Sequence, residues 1–262
     1  MVVTLKRHQA WSFTIQDAID AGQFALYRQP IVAVDQVVDK RCDADPAHYE
    51  ILVRMVNAKG DMISPNRFIP AAERYHLMPM VDRWVVDQSI RRLESLLDHS
   101  APHRTLPVHA INLSGDSLND DQCCEELVRR IDGCRLPPRQ LCFEVTETSA
   151  IANLRQASEF MRALKQMGCL FSLDDFGSGM SSFGYLSSLP VDFVKIDGRF
   201  IQGIETDASK VTIVESIVHV ATSLKLKTIA ERVEQVSIAH RLKSLGVDYI
   251  QGFKVGYPVQ WT

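Results

Sequence analysis

The chain has 262 residues, 46% of them hydrophobic and 23% charged. That balance belongs to an ordinary globular protein and excludes a disordered tail, a collagen-like fibre and a disulfide-knotted miniprotein. Lys and Arg number 29 against 32 Asp and Glu, a formal net charge of −3, so bulk charge supplies no grip on duplex nucleic acid and an anionic ligand needs local help, of which metal ions are an obvious form.

In chain order, residues 1–23 read as a lead-in helix carrying Trp11, Phe13, Ile15 and Ile19, and 24–262 as a single domain. Short apolar, β-branched or aromatic runs mark strands at 24–34, 49–56, 108–113, 141–146, 170–174, 193–196, 228–230 and 249–253. The Asp-bearing stretch 35–46 between the first two is too polar for a crossover helix, so those two strands are expected to be antiparallel. Helical stripes follow: Val81, Trp84, Val85, Ile90, Leu93 and Leu97, broken at Gln88, then Phe160, Leu164 and Met167, then Ile213, Ile217, Val220 and Leu224. Gly168 and Gly246 stand where helices should stop. Eight strands alternating mainly with helices predict an α/β fold, a TIM-like (β/α)8 barrel variant with one antiparallel strand. A doubly wound open sheet is the competitor, but no glycine-rich phosphate loop follows the first strand.

Six cysteines (Cys42, Cys123, Cys124, Cys134, Cys142, Cys169) show neither a CxxC pair nor zinc-type spacing, and are expected as reduced thiols of a cytoplasmic domain or of the cytoplasmic portion of a longer regulator. No secretory signal is visible and no run approaches the ~18 apolar residues of a membrane span, so this domain itself should make no membrane contact.

The informative pattern is where the acids sit. Asn112, Glu144 and Glu147, Asp174 and Asp175, Lys195 and Asp197, Glu231 and Glu234, and Gln251 lie within or just after apolar runs, and Glu50 sits inside one. In a barrel such strand ends converge on one rim. Singly each has a plainer reading: Asp174-Asp175 as turn and helix cap, Asn112 as a loop residue, Lys195 and Asp197 as a structural ion pair. Together, five or more acids on one rim would repel one another by several kcal/mol, a cost that divalent cations remove. Oxygen donors with one amide favour Mg²⁺ or Mn²⁺, and none of the eight histidines falls in the clusters. His109 comes closest but faces the opposite side of its strand and is expected to be packed. Adjacent aspartates suit a two-metal centre, and phosphodiester hydrolysis is the natural reaction class.

These residues fall in strings that carry a family resemblance. FALYRQPI at 24–31, EILVR at 50–54, SPNRFIPAAE at 64–73, INLS at 111–114, FEVTET at 143–148, SLDDFGSGMSS at 172–182, LPVDFVKID at 189–197, IAERVE at 229–234 and IQGFKVGYP at 250–258 resemble the EAL domain of cyclic-di-GMP phosphodiesterases. The resemblance implies a barrel with an antiparallel strand and hydrolysis of cyclic di-GMP to linear pGpG, with two Mg²⁺ or Mn²⁺ ions as cofactors and Ca²⁺ inhibitory. It implies that Glu50, Asn112, Glu144 and Asp174 ligate one metal, and that Asp174 bridges to a second held with Asp175 and Glu231. Lys195 would orient the attacking water, Glu231 has a competing reading as general base, and Glu147 would brace the loop 175–182. Gln29, Leu52, Arg54, Glu234, Gln251 and Pro258 would contact the nucleotide, Arg54 through a phosphate.

A homodimer and upstream sensory or cyclase domains are further expectations of the resemblance. Three departures stand out: Ile51 for the signature alanine, Arg232 for the usual glycine of Glu-Gly-Val-Glu, and Met180 for a common tyrosine. Some members of the family bind cyclic di-GMP without cutting it; those receptors typically lack one or more of the metal ligands, whereas the full set is present here.

Overall fold

The computed structural model describes residues 15–39, 46–57, 59–99, 107–178 and 183–262. Trp11, Phe13, Cys42 and Met180, with residues 40–45 of the 35–46 stretch, lie outside these residues.

Ten strands form one sheet: β1 (Phe24–Ala33), β2 (His48–Val56), β3 (Met62–Ile63), β4 (Val108–Leu113), β5 (Leu141–Thr146), β6 (Leu170–Phe176), β7 (Phe193–Ile196), β8 (Lys227–Ala230), β9 (Tyr249–Gln251) and β10 (Val259–Gln260). β2 and β4 to β9 run parallel in sequence order. β1 lies antiparallel between β2 and β9 and closes the ring. The eight-stranded barrel with one reversed strand is therefore as expected, and the open sheet is excluded. Two short strands had no sequence signal: β3 pairs with β2, and β10 with β1. The segment after β1 also differs from expectation, because Val34–Val38 forms a short helix where a turn was expected. It is too short to cross a sheet, so the antiparallel pairing stands.

Alternation along each strand separates two cores. Outward residues such as Ile51, Ile111, Phe143, Phe171, Val194 and Ile250 are buried beneath the surrounding helices. Ile51, 2% exposed, is thus accommodated on the outer face. Inward, Ile31, Ala110, Cys142, Phe193 and Ile229 form a small apolar floor, over which His48 sits against the rings of Phe193 and Tyr249.

Helix ends obey local chemistry. Leu154–Met167 stops at Gly168 in the left-handed region, φ 101°, and Gly246, φ 83°, follows the helix Val236–Ser244. In Ala208–Ser223 the buried residues are Val214, Ile217 and Ala221, while Ile213 is exposed. That helix is apolar on several sides, and spacing alone chose the wrong isoleucine. Ahead of β1, residues 15–20 are helical with Ile15 and Ala18 buried. The five described cysteines are unpaired thiols. His109 is buried outside the barrel between the rings of Tyr49 and Trp261, at centroid distances of 5.8 and 5.3 Å.

Candidate active site

One step of two residues beyond the floor, toward the C-terminal ends of the parallel strands, every barrel strand presents a polar side chain. Ala110 leads to Asn112, Cys142 to Glu144, Ser172 to Asp174, Phe193 to Lys195 and Ile229 to Glu231. His48 leads to Glu50 and Tyr249 to Gln251; on reversed β1 the step runs backward from Ile31 to Gln29. The two-residue period and the shared direction of seven strands put all eight groups around one opening.

Lys195, 1% exposed, sits at the centre. Its Nζ lies 2.9 Å from Glu144 Oε2, 2.9 Å from Glu231 Oε1, 3.2 Å from Asp174 Oδ1 and 3.6 Å from Glu50 Oε2. Burial alone would lower its pKa, but the carboxylates of Asp174, Glu144, Glu231 and Glu50 outweigh burial and hold it well above the usual lysine value. The ion pair with Asp197 considered from sequence does not form. Asp197 instead caps the helix Gly198–Ile201 through Arg199 N–H and pairs with the Arg199 guanidinium at 2.9 Å.

The amides knit the ring together. Asn112 Nδ2 donates to Glu50 Oε1 at 2.8 Å, and Gln251 Nε2 donates to Glu50 Oε2 at 2.6 Å and to Gln29 Oε1 at 3.1 Å. Gln29 Nε2 in turn donates to the Gly256 carbonyl.

The adjacent aspartates reach the same space because the strand breaks step between them. β6 shifts register against β7 between Leu173 and Phe176, and Asp175 is left-handed with φ 53°. Regular alternation would have sent the two carboxylates to opposite faces. As folded, ligand atoms of Asp174, Asp175 and Glu231 all lie within 4.8 Å of one another.

Charge at this opening is under strain. Burial pushes the Glu231 carboxyl up to about 7, with Asp174 and Glu50 adding to the effect and Lys195 opposing it. Glu144 is held well above the usual carboxylate range, by burial first and by Glu50 and Asp174, although Lys195 opposes. Asp175 is raised by burial and by Asp174. Glu144 Oε1 is buried with no hydrogen-bond partner among the described residues. Crowded carboxylate oxygens, one of them orphaned, with a single ammonium among them form a donor set that fits hard divalent cations.

Other sequence-predicted residues take supporting places. Glu147, fully buried, accepts from Gly177 N–H at 2.9 Å and from the Tyr185 hydroxyl at 2.6 Å, tying down the start of the loop after β6. A cavity of about 250 Å³ opens beside the acids, lined by Gln29, Glu50, Glu231, Arg232, Glu234, Gln251, Gly252 and Phe253. Leu52 and Arg54 continue the Glu50 face of β2 but stand outside that lining, as does Pro258. The Arg54 guanidinium lies over the Tyr27 ring and donates to the Val53 carbonyl.

Sequence reasoning missed Gly252 and Phe253. A Cβ on Gly252 (φ 152°) would lie 2.3 Å from the Val233 backbone N and O. That close approach lets Val233 N–H bond the Gln251 carbonyl and Lys254 N–H bond the Val233 carbonyl. The 231–234 segment is thereby laid against 251–254. A Gly after a strand-end Gln was the available signal; Phe253 had none.

An α/β barrel with one reversed strand and an oxygen-donor ring at its C-terminal mouth is the class that fold and site define. The chain belongs to the EAL domain family, whose model matches residues 13–258. The cyclic di-GMP phosphodiesterase PdeB of Shewanella oneidensis is 37% identical over 252 residues, covering 95% of this chain and 28% of that protein. The cyclic di-GMP phosphodiesterase PdeF of Escherichia coli is 34% identical over 254 residues, covering 97% of this chain and 32% of that protein. The chain thus spans about a third or less of the length of these relatives.

Among solved structures, the PaMucR phosphodiesterase in complex with c-di-GMP superposes with a TM-score of 0.84 at 30% identity, covering 95% of this chain and 97% of that one. The FimX EAL domain from Pseudomonas aeruginosa bound to c-di-GMP gives 0.81 at 28%, with coverages of 93% and 94%. Among the described residues no helix is long and apolar enough to cross a membrane.

Proposed function

We propose that this chain is a metal-dependent phosphodiesterase that opens one phosphodiester bond of cyclic di-GMP to give linear pGpG. The observation that carries the reading is the ring of oxygen donors contributed strand by strand around Lys195, in a family whose relatives named above bear the phosphodiesterase name. Glu50, Asn112, Glu144 and Asp174 would hold one Mg²⁺ or Mn²⁺, and Asp174, Asp175 and Glu231 a second. When bound, such ions supply an activated water and stabilise charge on the phosphate oxygens.

The chain's own groups have the following work. Lys195 offsets the like charge of the carboxylates and orients the attacking water. Glu231 would serve either as ligand of the second ion or as general base, two competing roles for one carboxyl that burial pushes up to about 7 when no ion is bound. Glu147 holds the loop after β6 in register through Gly177 and Tyr185. Gln29, Glu234 and Gln251 face the nucleotide from the cavity wall, while Leu52, Arg54 and Pro258 would meet it farther out. The proposal extends to a cytoplasmic homodimer whose remaining length carries sensory or cyclase modules, with 1–23 leading into the catalytic domain.

The test is incubation of the purified chain with cyclic di-GMP and Mg²⁺ or Mn²⁺, followed by chromatography of the nucleotides. pGpG is expected to accumulate, Ca²⁺ to suppress it, and Glu50→Ala or Asp174→Ala to abolish it. Tight binding of dinucleotide that stays intact would make the chain a receptor instead. Near-wild-type rates in either variant would refute the coordination.

A further inference from the structure

We propose that Arg232 is a phosphate-binding residue of this site, its guanidinium holding a phosphate of the bound guanine dinucleotide; the proposal rests on the function set out above and adds a contact to it.

The backbone marks the position first. Arg232 has φ 53°, a left-handed conformation that a long side chain adopts at a cost and that glycine adopts freely. Strain of this kind persists where surrounding structure over-determines it, and it clusters at ligand sites. Here the segment is held from outside: Val233, the next residue, bonds through both its N–H and its carbonyl to the 251–254 segment. The strained residue therefore lies between the site carboxylate Glu231 and a clamped neighbour.

The side chain is also seated. A Cβ on Gly198 would lie 2.4 Å from Arg232 Cδ, 2.6 Å from Cγ and 2.9 Å from Cβ, so the arginine stem rests directly on that glycine. The residue is exposed, lines the cavity and makes no ion pair among the described residues. Of the carboxylates nearby, Glu231 and Glu50 face Lys195 and Asp197 is taken by Arg199, while Glu234 lines the same cavity with no ion pair to Arg232 among the described residues.

Charge makes the argument specific. The cavity lining includes Glu50, Glu231 and Glu234, and Arg232 is its one cation among the described residues. Lys195, the other cation close by, is buried and its charge is shared among four carboxylates. Within this cavity an anionic dinucleotide meets one positive group of the lining, a planar fork suited to phosphate oxygens, with Arg54 standing outside the lining. The same chemistry is offered by a phosphate of the cyclic substrate and by the terminal phosphate of the linear product.

The experiment measures dissociation constants of cyclic di-GMP and of linear pGpG by isothermal titration in Ca²⁺, for wild type, Arg232→Gly and Arg232→Lys. Glycine relieves the left-handed backbone, so Arg232→Gly should unfold at no lower urea concentration than wild type, and lost affinity then reads the contact and not the fold. About tenfold weaker binding is expected for Arg232→Gly, with a shallower dependence on salt and partial recovery in Arg232→Lys. A loss seen with both nucleotides assigns the contact to a phosphate they share; a loss confined to pGpG assigns it to the terminal phosphate. Unchanged affinity for both nucleotides in Arg232→Gly would overturn the inference and leave the phosphodiesterase reading standing. A wild-type chain that binds neither nucleotide would remove that reading and this inference together.

Discussion

Lys195 carries the electrostatic balance of the site. One ammonium within 3.6 Å of four carboxylates keeps like charges apart in a place water barely reaches. Removing one partner of a buried charge cluster leaves the others uncompensated, which typically costs 3–5 kcal/mol. Lys195→Met is accordingly expected to lower the stability of the metal-free protein by roughly 3 kcal/mol in urea unfolding, with part of the loss recovered on adding Mg²⁺. An unchanged midpoint would mean that the carboxylates do not depend on this ammonium. The lysine itself was legible as a strand-end cation, but its partners were not. Asp197 was the near candidate along the chain, yet it lies past the end of β7 and turns to cap the following helix. The true partners come from β2, β5, β6 and the end of β8, and only closure of the barrel brings them together.

At the scale of elements, the 231–234 segment is positioned by its neighbour and not by itself. Gly252 permits the two backbones to touch, and any side chain there would collide with main chain that cannot rotate away. Gly252→Ala is expected to cost about 3 kcal/mol or more in thermal or urea unfolding, and to abolish turnover by displacing Glu231. Wild-type stability in this variant would show that the segments part easily and that some other contact places the carboxylate. The barrel strands themselves were readable, because each is an apolar run with alternating faces. β3 and β10, two residues each, are too short to carry a period. The helix Ala208–Ser223 misled for a related reason: apolar residues lie around much of its circumference, so spacing cannot say which face is buried.

For the whole molecule, two sets of buried groups pull stability in opposite directions with pH. Burial lowers His48 and His109 to about 4 from an ordinary value of 6.5. Between those values the unfolded chain binds more protons, so this contribution is present above pH 6.5 and lost as pH falls toward 4. Glu231 is raised from 4.5 to about 7, so there the folded chain binds more protons, and stability is lost as pH rises through that window. Two histidines outweigh one carboxyl, so these three groups are expected to make the urea midpoint of the metal-free protein climb to a maximum at about pH 6.5 and fall from there to about pH 7. Mg²⁺ should flatten the fall above pH 6.5 by keeping Glu231 ionised. A metal-free midpoint that climbs steadily to pH 8 would contradict this balance.

The amino-acid order by itself determined the alternation of strand and helix, the reversed first strand, and the polar side chain that each barrel strand carries near its end. All of these are written in neighbours along the chain, where a period of two or the polarity of a connecting stretch suffices. Only the tertiary structure decided that eight such side chains meet at one mouth, that Asp175 turns left-handed to join Asp174, and that Arg232 leans on Gly198 beside the acids. Those outcomes depend on how a closed, tilted sheet brings distant residues into contact, and no stretch of local sequence contains the distances that closure creates.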